Sequence, residues 1–299
     1  MSRIWLVIIA LVALPVAADE ITVSQHRISS GLNNRDLTIS PDGTLLMSTV
    51  MSPANQFAAI IVAERDGDSW GEPRLASFSG TWSDIEPMFT PDGDRLWFAS
   101  NRPKPGREGD DWDLWYVDRH GGGWGEPVNP GPPINTGGNE FYPSVAANGN
   151  VYFTAEREVG EGSEDILRAI WQGGEYVRVE SLGPGVNSAR FEFNAFVAPD
   201  ESYVIFTAQG GREGEIGRGD LYISRQTDGA FGEAKILPEP INSTLLDYCP
   251  FVHDGTLYFT SRRYADHAPY ADLDALNDAL TSPGNGMGDI YRVGFDALP

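Results

Sequence analysis

The sequence contains almost no cysteine. Cys249 is the only one in 299 residues, so the chain can form no internal disulfide and no metal site of several thiolates. For the same reason, a lipid anchor on an N-terminal cysteine is not expected. Histidine is also scarce, and the four histidines, at positions 26, 120, 253 and 267, lack the spacing of metal ligands.

Basic residues are few. The chain has 21 Lys and Arg against 43 Asp and Glu, which gives a net charge of -22. A surface this acidic is a poor partner for nucleic acid and for an anionic membrane. The charge leaves proteins, peptides, neutral glycans and cations as the partners to consider.

Long apolar runs are missing except at the start. Residues 4–14 read IWLVIIALVAL, which is too short to span a membrane. The preceding MSR and the following PVAA give this segment the form of a secretory signal peptide. We therefore predict a signal peptide over residues 1–18 and a single domain over residues 19–299. The mature protein is expected in the periplasm or outside the cell, as a monomer with no membrane span.

One phrase recurs along the chain. DGDRLWFASNR begins at Asp92, NGNVYFTAER at Asn148 and DGTLYFTSRR at Asp254. Each belongs to a longer unit of alternating strands separated by turns rich in Pro, Asp and Gly, and no segment before residue 270 has a sustained helical period. Five copies of about 50 to 56 residues, with four strands each, predict an all-β fold, a β-propeller of four-stranded antiparallel blades.

The two ends of the chain indicate how such a propeller closes. The last copy ends after its third strand, near DIYRVG at residues 289–294. The segment ITVSQHR, residues 21–27, could supply the missing fourth strand. Closure by the opposite end of the chain removes exposed sheet edges. We favour five blades closed by this N-terminal strand, with six blades as the alternative.

The repeat resembles that of a known family. PDG followed by LYFTSRR and GDIY is similar to the WD-like propeller repeat of TolB-type proteins. The stretch WGEPVNPGPPINTGGNEFYPS, residues 124–144, resembles the variant often found with OmpA-like domains. The resemblance implies a secreted, stand-alone propeller of the cell envelope. Hydrolases of the prolyl oligopeptidase type would need a G-x-S-x-G motif at a strand-to-helix turn, but the match in this sequence, GDSWG at residues 67–71, falls at the start of a repeated fourth strand.

Loop lengths predict which face of the propeller binds. Turns between the first and second strands of a unit are tight, whereas connections between the second and third strands are long, as in residues 102–112 and 263–288. We call the face with the long connections the loop face and the opposite one the turn face. The segment YADLDALNDAL, residues 270–280, predicts a short helix on the loop face. Long loops gathered on one face favour that face as the working surface.

An acid begins the innermost strand of most units, on the loop face. We call these acids the ring acids. They are Asp84, Glu140, Glu192 and Asp247, with Asp36 as the candidate in the first unit. Several close carboxylates need hydrogen bonds, arginines, protonation or a cation. Three interpretations stay open: structural contacts with the linkers between blades, a Ca²⁺ site, or a catalytic acid and base. The Ca²⁺ site would use Asp84, Glu140, Glu192 and Asp247, and an enzyme would draw on the same four and Glu86.

Other residues are candidates for ligand binding. Arg102, Arg157 and Arg263 end second strands, as Arg212 nearly does, and could either pair with the acids that begin the third strands or hold an anionic ligand. Those acids are Asp113, Asp165, Asp220 and Asp289. Strand alternation places Tyr142 and Asn194 on the side of the ring acids. The remaining candidates in or near the long loops are Trp112, Tyr270 and His267.

Two functions follow from these observations. The first, which we favour, is a non-catalytic propeller of the envelope or exterior that binds a protein, peptide or glycan on the loop face. The alternative is a carbohydrate-active enzyme, a glycosidase or lyase, that uses carboxylates at the mouth of the central channel. The candidate acids recur with the repeat, which favours the first function. No cofactor is required by the sequence beyond the Ca²⁺ considered above.

Overall fold

Five antiparallel sheets of four or five strands form the blades of a β-propeller. The computed structural model describes residues 22–26, 28–104, 106, 108–265 and 269–298. The predicted signal peptide lies outside them. The strands are, in chain order, β1 Ser24–Gln25, β2 Asn33–Ile39, β3 Leu45–Met51, β4 Ala58–Asp66, β5 Ser69–Trp70, β6 Arg74–Leu75, β7 Asp84–Phe89, β8 Arg95–Ser100, β9 Asp113–His120, β10 Gly123–Trp124, β11 Glu140–Val145, β12 Val151–Ala155, β13 Asp165–Gln172, β14 Glu175–Ser181, β15 Phe191–Val197, β16 Tyr203–Gln209, β17 Asp220–Thr227, β18 Ala230–Phe231, β19 Lys235–Ile236, β20 Asp247–His253, β21 Thr256–Ser261 and β22 Asp289–Gly294.

The blades follow one another along the chain. Blade 1 contains β2 to β6, blade 2 β7 to β10, blade 3 β11 to β14 and blade 4 β15 to β19. Blade 5 contains β20, β21 and β22, and its outermost strand is β1 from the other end of the chain. Ser24 pairs with Arg292 and Gln25 with Tyr291. The prediction of five blades closed by the N-terminal strand is confirmed, and the six-bladed alternative is wrong.

Tight turns on the turn face follow from their sequence. In blade 2 the N–H of Gly93 donates to the carbonyl of Thr90 over 2.9 Å, and Gly93 has a φ of 77°. A backbone in this left-handed region favours glycine, because a side chain there is strained. The flanking strands β7 and β8 are almost fully buried, as their run of aromatic and branched residues predicts.

Each innermost strand contains one residue in the left-handed region. These residues are Asp36, Glu86, Tyr142, Asn194 and Cys249, with φ between 48° and 62°. The ladder slips at the same places: in blade 2, pairing passes from Ile85 with Ala99 to Met88 with Trp97, so the innermost strand has one extra residue. Such a bulge redirects the side chain at its centre. The simple alternation that we assumed for these strands is therefore wrong at this position.

Large apolar side chains fill the space between neighbouring blades. Trp97 of blade 2 and Phe153 of blade 3 belong to one buried cluster, and Tyr152 of blade 3 and Phe206 of blade 4 to another. The predicted short helix in the last long loop is confirmed as α1, Leu273–Thr281. Within the described chain, no helix is long and apolar enough to cross a membrane.

Candidate binding site on the loop face

The ring acid of blade 2 forms an ion pair and a hydrogen bond within the protein. Asp84 is fully buried, and its Oδ1 accepts a hydrogen bond from Nη2 of Arg102 over 2.5 Å. Its Oδ2 accepts from the hydroxyl of Ser79 over 2.8 Å, in the linker from blade 1. Arg102 also donates to the carbonyl of Phe78 in that linker and lies 4.9 Å from the ring centre of Phe98. We call this set of acid, arginine and linker a clasp.

Three other blades contain the same clasp. The ion pairs are Glu140 with Arg157, Glu192 with Arg212 and Asp247 with Arg263, each at 2.8 Å. The linker hydroxyls that donate to the acids are those of Thr136, Ser188 and Ser243. All three acids are fully buried. The predicted structural contact with the linkers is therefore what these carboxylates make.

A linker asparagine ties each of these clasps to the preceding blade. The side chain of Asn135 accepts from the N–H of Leu114 over 2.9 Å and donates to its carbonyl over 2.8 Å. Asn187 and Asn242 make the same pair of bonds with Ile166 and Leu221. The recurrent linker sequences around INT, VNS and INS thus bind the blade before them through Asn and the blade after them through Thr or Ser.

The first blade departs from this pattern. Its clasp position is Asn34, which accepts from the N–H and the hydroxyl of Ser30, each over 2.7 Å. Asp36, our candidate for the ring acid, instead occupies the bulge position equivalent to Glu86. The assignment of Asp36 to the ring was wrong. Our alignment of the first unit was displaced by two residues, so it placed Asp36 where Asn34 belongs.

The arginines do not pair with the acids of the third strands, as one of our interpretations proposed. Asp165 accepts from the backbone N–H groups of Glu161 and Gly162, and Asp220 from those of Ile216 and Gly217. Those acids stabilise the bends before their own strands. Asp289 likewise accepts from the N–H of Gly284, while the arginines lie in the clasps.

The ring acids do not form a common metal site in this structure. Each lies in its own clasp, and in the described ranges no three His, Cys, Asp or Glu side chains gather as a metal ion requires. The Ca²⁺ site of Asp84, Glu140, Glu192 and Asp247 stays a prediction without geometric support.

Arg35 lies at the centre of a polar network in the channel. Its Nε lies 2.7 Å from each carboxylate oxygen of Asp36, and its Nη2 donates to Oε1 of Glu86 over 2.8 Å. Oε2 of Glu86 accepts from the backbone N–H of Tyr142 over 2.7 Å, and Asn194 donates to Oε1 over 3.3 Å. Side chains of blades 1, 2 and 4 and a backbone N–H of blade 3 therefore meet in the channel.

Burial changes the acid–base behaviour of this network. Removal from water raises the pKa of Glu86 to about 7, while the Arg35 guanidinium opposes the rise. Burial likewise raises the pKa of the Cys249 thiol, and the Asp36 carboxylate adds to the effect. Cys249 is consequently a neutral, buried thiol at physiological pH.

Above the network a cavity opens on the loop face. It measures about 250 Å³ and its walls include Phe141, Phe193 and Tyr248, each of which directly follows a ring acid in sequence. Arg35 and Glu86 lie at its inner end. We call this cavity the funnel. It combines apolar walls with a few polar groups, as small binding pockets commonly do.

Two charged side chains at the funnel have no ionic partner in the part of the chain that the structure describes. Arg262 lies over Tyr248, with 6.0 Å between guanidinium and ring centre, and no carboxylate pairs with it. Glu164 pairs with no cation, and burial together with the nearby Glu156 carboxylate raises its pKa. Glu164 also borders an adjoining cavity of about 590 Å³, whose walls include Asn139.

The remaining sequence candidates are dispersed. Tyr142 is buried in the channel, where its hydroxyl donates to the carbonyl of Pro250 over 2.9 Å. Trp112 packs against Phe141 of the funnel at 5.8 Å between ring centres, and Tyr270 is exposed beside α1. His267 lies outside the described residues.

Sequence reasoning named Glu86 and Asn194, which line the funnel, but missed most of its other residues. Arg35, Phe141, Phe193 and Tyr248 occupy one equivalent position, immediately after the residue at the clasp position. Their signal was available: this position is never acidic and is aromatic in three of the five copies. Arg262 was overlooked because it precedes the clasp residue Arg263.

Comparisons with known proteins agree on the fold. No family model and no curated protein matches the sequence. A solved structure assigned as TolB from Agrobacterium tumefaciens is 15% identical, with 88% of this chain and 91% of that chain covered and a TM-score of 0.50. An α-L-arabinofuranosidase from Podospora anserina is 10% identical over 92% of this chain and 94% of the enzyme, with a TM-score of 0.49. The GH43 endo-arabinanase from Bacillus licheniformis is 14% identical over 86% and 92%, also with a TM-score of 0.49. At 15% identity the likeness to the Agrobacterium structure concerns the fold alone, and the sheet order of this chain shows a five-bladed β-propeller.

Proposed function

We propose that this protein is a non-catalytic binding propeller whose funnel holds a segment of a partner polypeptide. The observation that carries the proposal is that aromatic walls share one cavity on the loop face with Arg262 and Glu164, two charged side chains without an ionic partner among the described residues. A polypeptide supplies apolar side chains for the walls, carbonyls for an arginine and N–H groups for a carboxylate.

The surroundings of the funnel favour a macromolecular partner. Large apolar side chains are exposed around it on the loop face, including Leu32, Phe57, Trp82, Phe191 and Tyr264. Several such side chains on one face indicate a protein-binding surface. The net charge of -22 favours a partner with basic residues, because opposite charge accelerates encounter.

The enzyme alternative has weaker support. A glycosidase needs two carboxyl groups that can reach the substrate. The four ring acids lie in clasps, and both oxygens of Glu86 accept hydrogen bonds from the protein. Among the described residues that line the funnel, Glu164 remains as the one available carboxyl.

Family and location belong to the same proposal. We propose a TolB-type propeller of the OmpA-associated variant, on the strength of the repeated motifs, and a periplasmic or secreted protein, on the strength of residues 1–18. Sequencing the N-terminus of the protein recovered from the cell envelope and from the medium tests the location. A start at Asp19 supports it, and a retained leader contradicts it.

The binding proposal is tested by selecting ligands from a random-peptide phage library on the purified protein. Enriched peptides are synthesised and their affinities measured by calorimetry. Phe193→Ala and Arg262→Ala are each expected to weaken binding about tenfold, the loss of one good contact. Trp171→Ala, on the turn face, is the control and should leave affinity unchanged. Failure to enrich any peptide, or binding that ignores both funnel variants, would contradict the proposal.

A further inference from the structure

A second cavity lies on the turn face, between blades 2 and 3. It measures about 270 Å³, and its walls include Trp97, Trp171 and Tyr176 together with Asp92, Arg95 and Asp118. The funnel opens on the opposite face, so the two cavities are separate. We call this one the groove.

The equivalent space between blades 3 and 4 is filled by the protein itself. Glu201, in the turn before β16, accepts from Asn148 over 2.8 Å, from Asn150 over 2.8 Å and from the Tyr152 hydroxyl over 2.7 Å. Its counterpart in blade 3 is Gly149. The two residues are equivalent because the backbone N–H of each donates to the carbonyl three residues earlier in its own turn. Gly149 has no side chain, so no side chain from this turn position fills the groove between blades 2 and 3.

Glycine also occupies this turn position in blades 1 and 2, as Gly43 and Gly93, whereas Trp171 departs from the repeat. It pairs with Tyr176 across β13 and β14, whereas blades 1 and 2 have arginines, Arg65 and Arg119, opposite their aromatic residues. The Trp171 side chain is 39% exposed. A Cβ on Gly149 would lie 2.7 Å from Cδ1 of Trp171, so the glycine is what allows the indole to lie here. Its ring centre is 4.7 Å from that of Tyr176, which forms a fixed aromatic wall.

Polar side chains with unused hydrogen-bond donors and acceptors line the same cavity. Arg95 donates through Nε to Oδ1 of Asp118 over 2.7 Å and lies 3.7 Å from the ring centre of Tyr116. Its two Nη groups have no acceptor among the described residues. Asp92 uses Oδ1 for Thr90, and no described donor reaches its Oδ2.

We propose that the groove binds a neutral pyranose unit of an oligosaccharide. The C–H face of a pyranose packs against aromatic rings, and its hydroxyls both donate and accept hydrogen bonds. Asp92 and Asp118 offer acceptors and Arg95 offers donors. An acidic sugar is disfavoured, because the two carboxylates of this set outnumber its one guanidinium.

The test uses the purified full chain and defined sugars: cellohexaose, maltohexaose, laminarihexaose and chitohexaose as neutral probes, with hexagalacturonate as the acidic one. Binding is measured by calorimetry and by intrinsic tryptophan fluorescence. At least one neutral probe should bind, and Trp171→Ala should weaken it about tenfold, the effect of one lost aromatic contact. Leu280→Ala, at an exposed residue of α1, should leave affinity unchanged.

A second variant guards against a folding artefact. Trp171→Arg restores the residue of blades 1 and 2, where Arg65 stacks on Trp70 at 4.3 Å, so it should fold and still lose binding. Absence of binding by all four neutral probes overturns the proposal. So does unchanged affinity in both Trp171 variants, or tighter binding of hexagalacturonate than of any neutral probe.

Discussion

The clasp position and the bulge position lie two residues apart on each innermost strand, yet they behave differently. The clasp position has the same chemistry in four blades, a buried acid with an arginine. The bulge position has a different residue in every blade: Asp36, Glu86, Tyr142, Asn194 and Cys249. The first holds blades together, and the second builds an asymmetric network on the axis.

The difference indicates where function lies in a repeat protein. Every blade must be attached to its neighbours, so attachment repeats. A ligand is asymmetric and contacts each blade once, so its site is built from positions that vary. Glu86, Arg262 and Trp171 have no chemical equivalent in most of the other blades, whereas the ring acids do.

The largest expected effect comes from breaking a clasp. Asp84→Ala leaves Arg102, whose side chain is only 9% exposed, without its carboxylate. Loss of one partner from a buried ion pair lowers the free energy of unfolding by about 3–5 kcal/mol. Urea denaturation measures it, and a loss below about 1 kcal/mol would remove the clasp from our account.

The bulge position is expected to control stability through pH. The pKa of Glu86 in the folded protein, about 7, lies above the ordinary value of 4.5, so the folded state binds this proton more tightly than the unfolded chain. Its contribution to stability is complete below pH 4.5 and is lost as pH rises through 7. Glu86→Gln should remove up to about 3 kcal/mol of this pH dependence, measured as the difference between the two unfolding profiles. Parallel profiles would contradict the raised pKa.

A smaller effect on stability is expected from a change at the clasp position of blade 1. Asn34→Asp places an acid at the clasp position of the one blade whose clasp lacks the arginine. The new carboxylate would be buried with only the Ser30 donors as partners, so we expect a loss of about 1–2 kcal/mol at pH 7. The loss should shrink at low pH, where the acid is protonated. A more stable variant would show that the arginine is not needed.

The smallest effect is expected at an exposed ion pair. Glu64→Ala removes the partner of Arg74, and the two side chains are 65% and 59% exposed. Such pairs contribute less than about 1 kcal/mol. Urea denaturation of this variant alongside Asp84→Ala separates the effect of burial from that of charge, and equal losses would contradict the comparison.

Local patterns predicted most of the fold. The turn sequences, the alternating strands and the missing fourth strand of the last copy were enough for a five-bladed propeller closed by β1. Alternation failed at Glu86 and its equivalents, because a bulge depends on the paired strand and not on the strand's own sequence. The partners of Asp84 could not be chosen from sequence either, since Arg102 could reach either Asp84 or Asp113 across the hairpin. The funnel joins Phe141, Phe193 and Arg262 from three blades, and only the closed ring brings them together.

The urea unfolding midpoint of Glu192→Gln tests the central claim most directly. Glu192 lies next to Phe193 of the funnel and was a candidate for catalysis, so its role separates the two accounts. Our account predicts a clearly lower midpoint, because Arg212 and Ser188 lose a charged acceptor. An unchanged midpoint would contradict it, since the ring acids would then be available for something other than holding the blades together.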